Sequence, residues 1–272
     1  LTEELSYPGS RHAAALLRAD LRGIATDGVG PLPDALDEAA ARTGAQILLT
    51  SAHVHNPTTI RTTDARRRAI VEVARARGLM ILDDDCFGFS DGAGPSYRQI
   101  APERTWVIGS LSKSLSPDLR VGAVVAPPGQ AGRVRAAAQQ HFFGLPRPVT
   151  ALVLAAMATG EAAAILHEVR AVGAARVRLA RARLGRFGIV LREDAPFGWL
   201  PMPRGWRASY FVRAAADEGI RIKAADEFAL IDGRAPNAVR LAFTAVREEA
   251  ALVGALDRLA ALLDAPPHDF EA

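Results

Sequence analysis

This sequence is short of cysteine and of lysine. A single cysteine, Cys86, stands among 272 residues, which excludes an intramolecular disulfide framework and makes the cytoplasm the expected location. A lone thiol of this kind is ordinarily a small buried residue rather than a nucleophile. Long apolar runs are missing as well: none approaches the roughly 20 residues of a membrane span, although 49% of the residues are apolar. That balance predicts a globular chain able to bury a large core in one domain or two, with no membrane partner. Charge of one sign is also scarce. A formal net charge of +3 is small and dispersed, and gives no footprint for nucleic acid. The arginines of ARRRA (65–69) and of 170–192 fall at helical spacings, as solvated helix faces do. Of 33 Lys and Arg residues only Lys113 and Lys223 are lysine, so the other 31 are arginine. A chain that uses arginine for generic positive charge keeps a lysine where an amine is needed, for instance as a nucleophile. The chain begins at Leu1 without methionine, and its opening LTEEL reads as the interior of a domain, which predicts a fragment.

What is present is an alternation of strands and helices. QILLTS (46–51), LMILDD (79–84), TWVIGS (105–110) and VGAVVAP (121–127) are short, β-rich and bounded by polar or Gly/Pro residues, as buried strands are. Between the first two, TTDARRRAIVEVARARG predicts a helix. Thr62 or Thr63 caps it, Ala65, Ala69, Ile70, Val73 and Ala74 form its apolar stripe, and Gly78 ends it. Strand, helix and strand at this spacing imply an α/β fold with a largely parallel sheet covered by helices. The character changes near residue 148. Residues 149–186 read as helical with a break at Gly160. Short strands are then expected at 188–193, 198–203, 220–225 and 238–244, with helices at 208–217 and 247–263. The expected division is therefore a large domain over 1–147, a linking helix and smaller α+β domain over 148–265, and a disordered tail over 266–272.

Ligands of open α/β sheets bind at the carboxyl ends of the strands. Three strands here each deliver a polar residue just past or at that end: Asn56, Asp84 and Lys113. One reading is a metal site of His53 and His55 with the aspartates of LDDD, against the plainer reading that HVH is a polar loop. Another is a receiver-type phosphoacceptor, although such domains are shorter and carry their acidic pair at the first strand. A third reading uses all three groups. A cofactor aldehyde held as a Schiff base needs an amine such as Lys113, and its pyridine nitrogen stays protonated beside a carboxylate such as Asp84. Its ring oxygen needs a donor such as Asn56, and its phosphate needs hydroxyls and a guanidinium, which Ser110, Ser112 and Arg120 would supply.

The pieces YPG (7–9), DGVGPLPDAL (27–36), HNPTT, ILDDDCFGF, GSLSKSLSPDLRVGAVVAP and VRLAFT run in order along the chain. Together they resemble the fold-type-I pyridoxal-phosphate-dependent aminotransferases, most closely the aminotransferase-like domains of MocR-type transcription regulators. The resemblance implies a three-layer, mostly parallel sheet and pyridoxal 5′-phosphate as cofactor. It assigns the Schiff base and Cα proton transfer to Lys113, the pyridinium partner to Asp84, the ring oxygen to Asn56 and the phosphate to Ser110, Ser112 and Arg120. Arg240 in AVRLAFT would clamp the substrate α-carboxylate. The implied reaction is amino-group transfer between an amino acid and a 2-oxo acid, in a homodimer. The alternative is an effector-sensing domain behind a winged helix, which would touch nucleic acid only through a domain outside this chain.

Three departures from the family stand out. Cys86 and Phe87 occupy the positions where a tyrosine usually donates to the ring oxygen, so Phe87 faces the cofactor without a phenol. Thr59 ends HNPTT where glycine is common, a change expected to be harmless. The glycine-rich phosphate turn, ring-stacking aromatic and cross-dimer tyrosine that precede YPG in the family are not among residues 1–272. These residues alone are therefore expected to bind cofactor poorly.

Overall fold

The structure is a computed structural model that describes residues 1–87, 94–230, 233–244 and 246–266; most of the expected tail, residues 267–272, lies outside the described residues. In chain order the first half forms β1 (Thr2–Glu3), α1 (Pro8–Leu16), β2 (Gly23–Ile24), β3 (Thr26–Asp27), β4 (Gly30–Pro31), α2 (Pro33–Thr43), β5 (Ile47–Thr50), α3 (Asp64–Ala76), β6 (Met80–Asp85), α4 (Tyr97–Ile100), β7 (Thr105–Ser110) and β8 (Gly122–Val125). Helices α5 (Ala131–Phe142), α6 (Arg147–Ala158) and α7 (Glu161–Leu184) follow. The rest forms β9 (Val190–Leu191), β10 (Phe197–Pro201), α8 (Ala208–Asp217), β11 (Lys223–Ala224), β12 (Ala238–Ala242) and α9 (Glu249–Asp264). Two units arise, each from several stretches of chain. One holds Leu1–Glu3, Ile24–Val54 and Ile60–Ala171; the other holds Glu4–Gly23, His55–Thr59 and Val172–Ala272. No single helix among the described residues is long and apolar enough to cross a membrane.

In the first unit the sheet order is β5-β6-β7-β8, with β5, β6 and β7 parallel and β8 antiparallel to β7. Helix α3 is the crossover between β5 and β6. Its N-cap Thr63 accepts a hydrogen bond from the Arg66 N–H at 3.4 Å, and Gly78 takes φ 69° just past its end, the left-handed turn that glycine adopts without strain. Its buried face is Arg67, Ile70, Val71 and Ala74, and the three apolar ones pack with Leu36 of α2, Leu48 of β5 and Ile81 of β6. Each such buried aliphatic contributes about 1.5–3 kcal/mol. Two expectations change here. Arg67 of ARRRA is completely buried rather than solvated; it survives there because its guanidinium donates to the carbonyls of Pro95 (3.1 Å) and Ala52 (3.3 Å). Strand β8, expected to be buried, is exposed at all four residues, because it ends the sheet order and pairs only with β7 among the described residues.

The second unit has an antiparallel sheet of order β11-β12-β10-β9. Its core gathers Val177, Ala180 and Leu184 of α7, Phe211 of α8, and Leu252, Leu256, Leu259 and Leu263 of α9 against Leu200, Val239 and Leu241 of the sheet. The α9 residues recur at i, i+4, i+7 and i+11, one stripe of a 3.6-residue period. Gly198 on β10 is required by close approach: a Cβ there would stand 2.6 Å from the Leu191 side chain.

Candidate active site

Period-two alternation divides the acidic trio of β6. Asp83 and Asp85 share one face and Asp84 the other. Asp83 is buried, and its Oδ1 accepts the Ala52 N–H at 3.4 Å. Burial pushes its carboxyl up to about 7, opposed by His53 and Arg67 and reinforced by Asp85. Asp84 is half-buried, and its Oδ1 accepts the Cys86 N–H at 3.1 Å, an Asx-type turn that orients the carboxylate as the chain leaves the sheet. The Cys86 thiol hydrogen-bonds to the same carboxylate. Its own ionisation is pushed up to about 12, by burial first and then by the charges of Asp84 and Asp85, with Lys113 acting in the opposite sense. The thiol is therefore a neutral donor rather than a nucleophile. Phe87 follows, half-buried, in the turn after β6.

Strand β7 lies beside β6, with Asp84 opposite Ile108 and Asp85 opposite Gly109, so Ser110 emerges from the sheet next to the acidic strand end. The loop that follows is closed at its neck by the Leu111 N–H donating to the Val121 carbonyl at 3.0 Å. Inside it, the Ser110 hydroxyl accepts the Ser112 N–H at 3.1 Å. Lys113 and Arg120 are exposed. Arg120 takes φ 51° directly after the short turn of Pro117–Leu119, a left-handed conformation uncommon outside glycine. Asp84, Cys86, Ser110, Ser112, Lys113 and Arg120 thus belong to two adjacent strand ends of one unit, and the fields of Asp84 and Lys113 both reach the Cys86 thiol.

The remaining expected residues belong to the other unit. Asn56 lies in the segment His55–Thr59, and its side-chain oxygen is buried with no hydrogen-bond partner among the described residues. His55 is held by both ring nitrogens, Nδ1 to the Thr58 hydroxyl (2.6 Å) and Nε2 to the Leu5 carbonyl (3.0 Å), which leaves neither for a metal. Among the described residues no three His, Cys, Asp or Glu side chains cluster as a metal site would require. Thr59 is fully buried at φ 64°, and its hydroxyl has no partner among the described residues. For a β-branched residue that is a strained conformation, of order 1–3 kcal/mol, so the change from glycine is not harmless.

Arg240 sits mid-strand on β12, opposite Trp199 of β10 and Lys223 of β11. Its guanidinium carbon lies 4.1 Å from the Phe197 ring centroid and 5.7 Å from that of Phe228. Burial lowers its ionisation to about 10, while Tyr7 acts the other way, so it remains a cation at neutral pH. Its Nε is buried with no partner among the described residues. Lys223, the like charge across the ladder, is drawn off to Glu227 at 2.5 Å. A guanidinium held between rings, with donors unspent, is suited to a carboxylate.

Two features of this constellation were not legible as motifs: the contact of His53 with Asp85 at 3.3 Å, and Tyr7 within electrostatic reach of Arg240. The first had a faint signal, since Asp85 must share the face of Asp83 by alternation.

The family described as aminotransferase class I and II matches residues 1–259. A 2-aminoadipate transaminase of Thermus thermophilus is 26% identical over 270 residues, covering 92% of this chain and 65% of that protein. An uncharacterized HTH-type transcriptional regulator, YdeF of Bacillus subtilis, is 24% identical over 260 residues, 95% of this chain and 56% of that protein. The chain thus spans less than two thirds of the length of these curated relatives. Among solved structures, the α-aminoadipate aminotransferase LysN of Thermus thermophilus, complexed with N-(5′-phosphopyridoxyl)-L-leucine, superposes with a TM-score of 0.85 at 26% identity, covering 97% of this chain and 70% of that one.

Proposed function

The chain belongs to the aminotransferase class I and II family, and from that premise we propose that it takes part in pyridoxal-phosphate-dependent transfer of an amino group between an amino acid and a 2-oxo acid. The observation that supports this most is chemical economy at two adjacent strand ends. One of only two lysines in the chain follows β7, and a carboxylate oriented by its own turn ends β6. The side chains suit the cofactor: an amine, a carboxylate for a ring nitrogen, two serines and an arginine for a phosphate, and in Asn56 an amide N–H for the ring oxygen.

Bound pyridoxal phosphate supplies an electron sink for the bonds of the substrate Cα. The protein's part is to bind, orient and move protons. Lys113 supplies the amine that holds the cofactor and then carries the proton of the substrate Cα. Asp84 keeps the proton on the ring nitrogen. Asn56 hydrogen-bonds the ring oxygen, while Ser110, Ser112 and Arg120 hold the phosphate. Arg240 binds the substrate α-carboxylate bidentately, its charge strengthened by poor hydration between Phe197 and Phe228. Phe87 packs where a phenol would have donated to the ring oxygen, which leaves Asn56 as the donor there and favours slower amino transfer.

The test is spectroscopic. Pyridoxal phosphate titrated into the protein, to millimolar levels because weak binding is expected of these residues alone, should generate a visible absorbance band. Lys113→Ala should lose it, and Lys223→Ala should keep it. Identical spectra for the unsubstituted and Lys113→Ala proteins would overturn the proposal.

A second reading rests on a different observation, the likeness to a transcriptional regulator over 95% of the chain. Here the same site senses an amino compound without turnover, shifting a conformational equilibrium. Multiple turnovers of 2-oxo acid in the presence of an amino donor support the enzyme. A spectral response to amino compounds that releases no 2-oxo acid supports the sensor.

A further inference from the structure

Three consecutive carboxylates at one strand end repel one another, and each ionised member makes it harder for the next to stay ionised. The reading above needs only Asp84. Asp83 and Asp85 stand on the opposite face of β6, and the structure surrounds them with groups the proposed reaction does not use. His53, three residues past β5, is 8% exposed. Its Nδ1 lies 3.3 Å from Asp85 Oδ1, at ion-pair distance but off the line of a hydrogen bond, and it has no hydrogen-bond partner among the described residues. A buried imidazole nitrogen facing a carboxylate is costly unless charge or a proton is shared between them.

Asp83 is faced by His53 from the loop, by Asp85 along its own strand and by Arg67 from α3. The phenol of Tyr97 from α4 meets the fields of Asp83, Glu3 and Arg67 together. Glu3 of β1 is itself bound by the Thr50 hydroxyl at 2.5 Å. The basic side chains that face the two flanking acids are thus His53 and Arg67, and Arg67 already spends donors on the Pro95 and Ala52 carbonyls.

We infer that His53 is a positioning residue for Asp84: by offsetting Asp85 and Asp83 on one face of β6, it leaves Asp84 on the other face as the one carboxylate of the trio free to pair with a cationic ring nitrogen. The inference rests on the cofactor reading above and deepens it. His53 touches neither the cofactor nor the substrate; it acts through the charge balance of the strand end. Removing it leaves Asp85 without that offset beside Asp84, and the strand end then holds a cationic ring less well.

The experiment uses two probes, pyridoxal phosphate and its 1-deaza analogue, in which carbon replaces the ring nitrogen. His53→Gln keeps polarity and much of the size without the imidazole. It should weaken pyridoxal phosphate binding by about tenfold and move the pH midpoint of its absorbance band by about one unit, while leaving the affinity of the deaza analogue unchanged. The double variant His53→Gln with Asp85→Asn removes both charges and should restore binding to within about threefold. It also serves if His53→Gln alone folds poorly. Equal weakening of both probes would show a merely structural residue and overturn the inference, as would failure of the double variant to rescue, or no change in either probe. Failure of the cofactor reading looks different, namely identical spectra for the unsubstituted and Lys113→Ala proteins, and it removes the positioning role as well.

Discussion

In the sheet of β5 to β8 charge is gathered at strand ends, where Asp83, Asp84 and Asp85 are set among partners: backbone N–H groups, His53, Arg67 and a neighbouring lysine loop. In the sheet of β9 to β12 a single cation, Arg240, sits in mid-strand between two aromatic rings. The first arrangement sets several charges within reach of one another. The second leaves the Arg240 Nε without a partner among the described residues. The difference follows from topology: parallel strands deliver their carboxyl ends to one edge, where loops can crowd several groups, whereas an antiparallel strand interior offers one residue and its cross-strand neighbours.

The comparison can be broken most severely at Arg240. Arg240→Met removes the cation and keeps much of the volume between Phe197 and Phe228. It should raise KM for an amino acid substrate roughly 10²- to 10³-fold, the scale of losing a buried charge-assisted pair, with little loss of melting temperature. A variant that binds substrate normally would show that the withheld donors serve no carboxylate. Asp83→Asn probes the other sheet. The Asp83 carboxyl, pushed up to about 7 from the ordinary 3.8, keeps its proton in the folded chain over a range where the unfolded chain has released it. Stability should therefore fall as pH rises from about 4 to about 7 and level off above. Asp83→Asn should flatten that slope and be the more stable chain at pH 8, by a few kcal/mol on the linkage scale of about 1.4 kcal/mol per pH unit. Denaturant melts at pH 5, 6, 7 and 8 would read it, and an unchanged slope would remove Asp83 from the account.

A smaller effect is expected at Thr59. Thr59→Gly relieves a left-handed β-branched residue and an unpartnered buried hydroxyl, against the loss of a buried methyl and added unfolded-state freedom. The net expectation is a gain of about 1 kcal/mol, measurable as a raised urea midpoint; a lowered midpoint would show that packing of the methyl outweighs the strain. The least effect should come from Asp37→Asn. Its pair with Arg77 is short, 2.6 Å, but both side chains are about 40% exposed, and solvent-screened pairs contribute little. A clear drop in melting temperature at neutral pH would show that the surface carries more of the stability than either sheet suggests.

Much of the fold was legible because it obeys local rules. The four strand runs of the first half, the Thr63-capped helix, the break at Gly160 and the helix at 208–217 follow from hydrophobic period, caps and punctuation. Motif order named the expected residues near Lys113, and the structure sets them at two adjacent strand ends of one unit. Two of the misses share one cause, distance along the chain. Nothing local marks Arg67, inside an arginine run, as the residue to be buried, because its acceptors at Ala52 and Pro95 lie 15 and 28 residues away. Nothing local places residues 4–23 and 55–59 with the second unit, since what decides it is the partners they meet far along the chain. The strain at Thr59 was hidden because identity alone does not reveal φ.

By itself, then, the sequence determined which elements form, which strand ends carry an amine and a carboxylate, and which of three adjacent aspartates faces away from its neighbours, because period two leaves no choice. The tertiary structure alone decided what those groups meet: a histidine against Asp85, a buried arginine toward Asp83, a thiol on Asp84 and two rings around Arg240. Charge in a low-dielectric interior is governed by neighbours a few ångströms away, and those neighbours come from anywhere in the chain.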